Sequence, residues 1–330
     1  DPIPSRGLGD VYKRQVRILC FACVYFPIKQ IGRTQILKLN KEIAKSRISI
    51  YAELSKLNIL SLVIIATVLG YYLGASGIIL WKHLLITLLG TAMTACGSGA
   101  LNHYLERETD AFMARTKNRP LPAGLIKPFE VMNYGVIMVL IGVLVLVTQV
   151  NMLTGFIALL TAFLYIVVYT PLKKITWLNT SIGSIPGALP ILGGWTASAE
   201  NIDAMAWVLF AIMYLWQHPH FYSIAWICRK DYAEANLKML PVVDPDGNST
   251  IRQIFWHLLL MIPITSLPFI QGQLGLFYLT GALLITSAFF VSALPMARNR
   301  SDKSALLLLK GSVFYLPSLL FIIIIDIGVL

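Results

Sequence analysis

Charge is what this sequence has least of. Asp, Glu, Lys and Arg make up 13% of its 330 residues, against about 25% in a soluble domain. Apolar residues make up 57%. They lie in runs spread over nearly the whole length, which leaves no room for a large soluble domain and excludes a globular protein with one anchor. Acidic residues are scarcer than basic ones, 16 against 27, for a formal net charge of +11. That surplus does not mark a nucleic-acid binder, because the basic residues sit in short loops between apolar runs, as membrane topology requires. Cysteine is rare too, with four in the chain. Cys20 and Cys23 form a C-x-x-C, but inside an apolar run with no partner pair, so no metal or redox centre is expected there.

The first 15 residues are polar and patternless and read as a non-native scar. Residues 16–28 are apolar but too short to span, and the basic stretch from Lys29 to Lys56 reads as a cytoplasmic lead-in. The expected division is a lead-in at 1–45 and a single transmembrane domain at 46–330.

What is present in quantity is the membrane span. About nine runs approach the ~20 residues a bilayer needs: 57–75, 83–104, 129–149, 152–170, 179–198, 204–227, 252–271, 274–296 and 305–327. Their loops alternate between Lys/Arg-rich and nearly Lys/Arg-free, which predicts an inside N-terminus and an outside C-terminus. The two longest loops, 105–128 and 228–251, fall on the inner side. Both cluster acidic and basic residues, in the manner of an internal repeat with little shared sequence.

The first polar loop carries the strongest chemistry. Asn102, Glu106 and Asp110 are four residues apart, so on a helix they share one face. Oxygen ligands on successive turns suit Mg²⁺, which usually takes one or two carboxylates plus substrate phosphates. Arg115, Lys117 and Arg119 follow and could take diphosphate charge. In the second loop, Asp231 and Glu234 are helical neighbours that could complete a metal site. His218 and His220 flank Pro219 inside the sixth span, where a polar group usually faces a bundle interior. A haem-iron ligand and a proton acceptor are both open for them. Pro171, Pro186, Pro190 and Gly183, Gly187, Gly193, Gly194 crowd the fourth and fifth spans. Tight helix packing and a substrate pocket, with Asn179 in it, are equally compatible with that crowding.

These residues resemble a known family. Asn102-x-x-x-Glu106-x-x-x-Asp110 with Met113-x-Arg115-Thr116-x-x-Arg119-Pro120-Leu121 is similar to the first aspartate-rich motif of the UbiA-type intramembrane prenyltransferases. Tyr169-Thr170-Pro-Leu172-Lys173-Lys174-x-Thr176, Ile182-Gly183 to Gly194-Trp195, Trp216-Gln217-x-Pro219-His220-Phe221 and Asp231-Tyr232 with Met239-Leu240-Pro241-Val242 resemble its haem O synthase branch, the protohaem IX farnesyltransferases. The likeness covers roughly 46–328.

The resemblance implies an all-α integral membrane fold, with nine transmembrane helices around a central cavity. It implies transfer of farnesyl from farnesyl diphosphate to a vinyl group of haem B, with water addition, giving haem O for terminal oxidases. Mg²⁺ is the implied cofactor and haem B a substrate. Asn102, Glu106 and Asp110 would hold the metal and the diphosphate, with Asp231 as the second acid and Glu234 beside it. Arg115 and Arg119 would neutralise the leaving group, assisted by Lys173 and Lys174. Asn179, Gln217, His220, Tyr232 and Lys238 are the implied substrate-binding set. The bacterial inner membrane is the implied location, with a haem A synthase or oxidase as downstream partner.

Two departures stand out. Glu106 replaces the Asp of many relatives, and the second motif offers Asp231 and then Ala235 in place of a second Asp. A quinone-precursor prenyltransferase is the neighbouring alternative. A polytopic transporter is the distant one, disfavoured because both charged clusters fall on one side.

Overall fold

In a computed structural model, residues 46–75 and 77–329 are described, and every regular element among them is helical. The expectations for residues 1–45 lie outside the described residues. In chain order the helices are α1 (Arg47–Leu54), α2 (Leu57–Gly74), α3 (Trp81–Phe112), α4 (Pro128–Gln149), α5 (Met152–Leu172), α6 (Asn179–Ala199), α7 (Ala204–Ile227), α8 (Arg229–Glu234), α9 (Leu240–Val243), α10 (Asn248–Ile270), α11 (Leu276–Arg298) and α12 (Asp302–Val329).

Seven of these, α2 to α5 and α10 to α12, are long and apolar enough to cross a membrane. This is the fold of a polytopic integral membrane protein. Helices α6 and α7 match the remaining two expected spans in place, with 21 and 24 residues. They are the inner helices of the bundle. Asn179, Thr180, Ser184 and Thr196 on α6, and Gln217, His218 and Ser223 on α7, are all buried. Polar side chains at those depths satisfy one another and backbone carbonyls, which lowers the apolarity of the helix without exposing polarity to lipid.

The outer face is inverted relative to a soluble protein. Leu85, Leu140, Leu144, Leu284, Val291, Phe314 and Phe321 are exposed, each on a spanning helix. Such a continuous apolar surface needs lipid around it. The one buried acid in α12, Asp326, is not left bare. Its carboxylate accepts the backbone N–H groups of Gly275 and Tyr278 at the start of α11, where the helix dipole favours a negative charge.

Close approach of α2 and α6 sets the centre. A Cβ on Gly194 would lie 2.0 Å from the Thr67 carbonyl oxygen, and one on Gly70 1.9 Å from that of Ile191. Gly194 therefore serves close helix packing.

Helix α5 is not uniform. From Leu164 to Tyr169 it widens to a π-helical turn. The cause is Pro171, which has no N–H to give to the carbonyl four residues back and whose ring crowds that carbonyl. Thr170 instead bonds Tyr165 O through both its backbone N–H and its hydroxyl.

Candidate functional site

The second span was expected to end at 104, yet α3 continues to Phe112. Asn102, Glu106 and Asp110 therefore lie on one uninterrupted helix face, as their spacing required. All three are turned inward. Asn102 and Asp110 are fully buried, and the Glu106 side chain is 13% exposed.

Three neighbouring segments bring cations to that face. After α3 the chain turns back. Thr116 Oγ1 donates to Asp110 O at 2.8 Å, and Arg119 Nη1 reaches Asp110 Oδ2 at 2.7 Å. From the end of α5, Lys173 Nζ meets Glu106 Oε1 at 2.6 Å and lies 4.4 Å from the centre of the Tyr169 ring. From the α1–α2 junction, Lys56 Nζ donates to Asn102 Oδ1 and approaches the Tyr165 hydroxyl at 3.4 Å. The Asn102 amide N–H completes the ring of contacts with Thr170 Oγ1 at 2.9 Å. The π-helical turn orients this side: Tyr165 and Tyr169 stack at 5.6 Å, with Thr170 and Lys173 beyond them facing α3.

The electrostatics follow from enclosure. Burial alone would lower Lys173, but the Glu106 carboxylate outweighs it and holds the ammonium above the ordinary lysine range. Burial pulls Lys56 down to about 7. Glu106 opposes this, while Lys173 and Arg119 add to it. Buried ion pairs contribute little net stability while intact, but breaking one costs about 3–5 kcal/mol. Glu106→Leu is therefore expected to lower the thermal unfolding midpoint in detergent by several degrees. Lys173→Met in the same chain should restore part of the loss. A double variant no more stable than the single one would show that the pair carries no such strain.

The second polar loop packs onto the first. Arg115 stands 6.0 Å from the Tyr232 ring centre, and Met113 shares a buried apolar cluster with Ala225, Ala235, Leu237 and Met239. Burial raises the Tyr232 hydroxyl to about 12, although Arg115 opposes it. The Lys238 N–H donates to Lys173 O at 2.6 Å, and Asn179 Nδ2 donates to Lys238 O at 3.0 Å. Loops far apart in sequence thus meet around Lys173.

Not every expected residue joins this group. Lys174, Glu234 and Lys238 are exposed, and Asp231 is half-buried on α8. Among the described residues no three His, Cys, Asp or Glu side chains converge as a metal set, so Asp231 and Glu234 are not gathered with Glu106 and Asp110. Gln217 Nε2 donates to Ser184 O at 3.1 Å and Met213 O at 3.0 Å, a tie between α6 and α7. His220 points to α12, where Nδ1 meets Ser312 Oγ at 2.8 Å, and its ring stacks on Trp216. His218 faces the other way, toward Ser181 on α6 and the His257 ring 3.7 Å away on α10. Lys56, Tyr165 and Thr170 are participants that sequence reasoning did not select. A lysine just before an apolar run carries the same signal as any inner-face anchor.

Whether the acidic face suits a divalent cation can be tested on its own atoms. Asp110 Oδ1 is buried with no hydrogen-bond partner, and a buried carboxylate oxygen left bare is costly. With Asn102 Oδ1 and Glu106 on the same helix face, it offers oxygens of the type Mg²⁺ takes with phosphate co-ligands. The residues fit.

Fold and site together define a polytopic membrane protein with an inward row of side-chain oxygens bounded by cations. The chain belongs to the UbiA prenyltransferase family, whose model matches residues 63–316. It is 41% identical over 285 residues to the protoheme IX farnesyltransferase of Solibacter usitatus, covering 84% of this chain and 98% of that one. Likeness to the protoheme IX farnesyltransferase of Salinibacter ruber is 42% over 281 residues, with the same coverage. Among solved structures, digeranylgeranylglyceryl phosphate synthase superposes with TM-score 0.73 at 18% identity, over 86% of this chain and 99% of that one. A UbiA homologue from Archaeoglobus fulgidus bound to DMAPP and Mg²⁺ gives 0.61 at 16% identity, over 85% and 99%. These two establish the fold.

Proposed function

We infer that the protein is a protohaem IX farnesyltransferase, joining the farnesyl group of farnesyl diphosphate to a vinyl group of haem B to give haem O. The observation that carries the reaction type is the buried row Asn102, Glu106, Asp110 with Lys56, Lys173 and Arg119 around it. The 41–42% identity to protoheme IX farnesyltransferases supports the acceptor.

Asn102, Glu106 and Asp110 would hold Mg²⁺, which supplies Lewis-acid charge to the diphosphate oxygens. The chain's own cations do the rest of the electrostatic work. Arg119 and Lys173 would take the diphosphate charge that grows as its bond to farnesyl C1 breaks, and fixed charges need no reorganisation. The vinyl π electrons then form the new bond to C1. Water adds to the resulting cation beside the porphyrin and releases a proton, completing the hydroxyethylfarnesyl group. An apolar bundle interior keeps water from capturing the farnesyl cation first. Arg115 on Tyr232 ties the second polar loop over the site and brings Asp231 to the same end of the bundle. The Lys238 backbone, held by Asn179, braces Lys173 from the second loop, while Gln217 and His220 bond within the bundle.

The loop charges support a nine-span topology with the site toward the cytoplasm. The bacterial relatives support an inner-membrane location, and we propose a haem A synthase or oxidase as consumer of the product. Membranes carrying the protein, given haem B, farnesyl diphosphate and Mg²⁺, are expected to form a more retained haem on reverse-phase separation. Its mass should equal the sum of haem B, the farnesyl group and water less one proton. Prenylation of a quinone precursor with haem B untouched would overturn the acceptor assignment.

A further inference from the structure

Lys56 is badly suited to its own backbone. Its φ of 49° and ψ of 55° place a side-chain-bearing residue in the left-handed region, which glycine or asparagine fills at less cost. It is also the N-cap of α2 and gives that helix end no side-chain hydrogen bond. A cation there opposes the helix dipole. Strain of this kind persists where the side chain has work to do, and this side chain reaches into the acidic row. Its ammonium sits on Asn102 Oδ1, the amide oxygen of the proposed metal set.

We propose that Lys56 is the resident cation of the site, holding the oxygen a divalent ion would take and yielding it only when metal and diphosphate enter together. The inference rests on the metal and diphosphate reading above. Charge counting supports it. Lys173 and Arg119 already pair the two carboxylates, Glu106 and Asp110, so the row is neutralised before any dication arrives, and protonated Lys56 is in surplus. A metal alone adds like charge to that surplus, whereas a metal with diphosphate brings compensating negative charge. Space for the change is present. A cavity of about 430 Å³ beside Lys56 is lined by Glu53, His103 and Arg119 as well. His103 Nδ1 is buried there without a hydrogen-bond partner.

The consequence is thermodynamic coupling: pyrophosphate must raise metal affinity, and metal must raise pyrophosphate affinity by the same factor. The test is Mn²⁺ binding, followed by electron paramagnetic resonance on the full chain in detergent. Mn²⁺ is added alone and with inorganic pyrophosphate. Wild type is expected to bind Mn²⁺ weakly alone and roughly tenfold or more tightly with pyrophosphate, within the usual range of such couplings. Lys56→Met should bind Mn²⁺ alone about tenfold more tightly than wild type and lose most of the pyrophosphate effect. Lys56→Gln replaces it if the methionine variant does not fold. Equal or weaker affinity for Mn²⁺ alone in a folded variant overturns the proposal. Failure of wild type to bind Mn²⁺ even with pyrophosphate, or unchanged binding in Asp110→Ala, overturns the metal reading itself.

Discussion

Asp110→Ala should cost at least a hundredfold to a thousandfold in haem O formation, the range seen when one preorganised charge-stabilising group is removed. The reason lies in two oxygens with different duties. Oδ2 holds Arg119 at 2.7 Å, and Oδ1 is buried with no partner. Alanine removes both, so the guanidinium loses its anchor as the row loses its free donor. Turnover is to be measured as haem O per chain, with the amount of membrane-inserted protein determined alongside. Asp110→Asn separates the duties: it keeps a hydrogen-bonding oxygen but not the charge, and should be nearly as inactive. Wild-type turnover in either variant would remove Asp110 from the chemistry and leave it as a positioning group for the loop.

Gly194→Val should destabilise the fold by forcing α2 and α6 apart. Even the first added carbon would lie 2.0 Å from the Thr67 carbonyl oxygen and 2.8 Å from the Tyr71 nitrogen. Those atoms are backbone of α2 and cannot rotate aside, so the helices must part. Overpacking in a filled interior costs about 1–3 kcal/mol, and here the strain falls on the pair of helices that sets the centre of the bundle. A thermal unfolding scan in detergent is expected to show a large drop, with loss of monodisperse protein. The neighbouring Gly193 is the internal control. Its nearest contact for an added carbon is 3.8 Å, so Gly193→Ala should behave as wild type. Equal stability of the two variants would mean α2 and α6 are not locked together.

Much of this was legible in the sequence, for physical reasons that differ by element. Spans are easy to read because a bilayer demands long apolar runs, and Leu57–Gly74 or Pro128–Gln149 could hardly be anything else. The inward face of α3 was legible because a four-residue spacing has one outcome on a helix. The end of α3 was not, since Glu106 to Asp110 reads as a polar loop until Thr116 and Arg119 turn back to hold it. Glu106 with Lys173 and Asn102 with Lys56 were illegible, because pairs 67 and 46 residues apart leave no periodic trace. His218 and His220 show the limit best. Two residues apart, they looked like one feature, yet on a helix they diverge, one toward α6 and α10 and the other toward α12.

The wide turn in α5 behaves as a phase shifter. A π turn acts as one extra residue within an α-helix, and one residue is about 100° of rotation at 3.6 residues per turn. The half of α5 before Leu164 and the half after Tyr169 therefore obey two different facial registers. The first can be tuned for packing against α6 and for lipid while the second is aimed at α3, with neither constraining the other. Loss of a single residue between Leu164 and Tyr169 would merge the registers and swing Lys173 away from Glu106, with every side chain of the site still present.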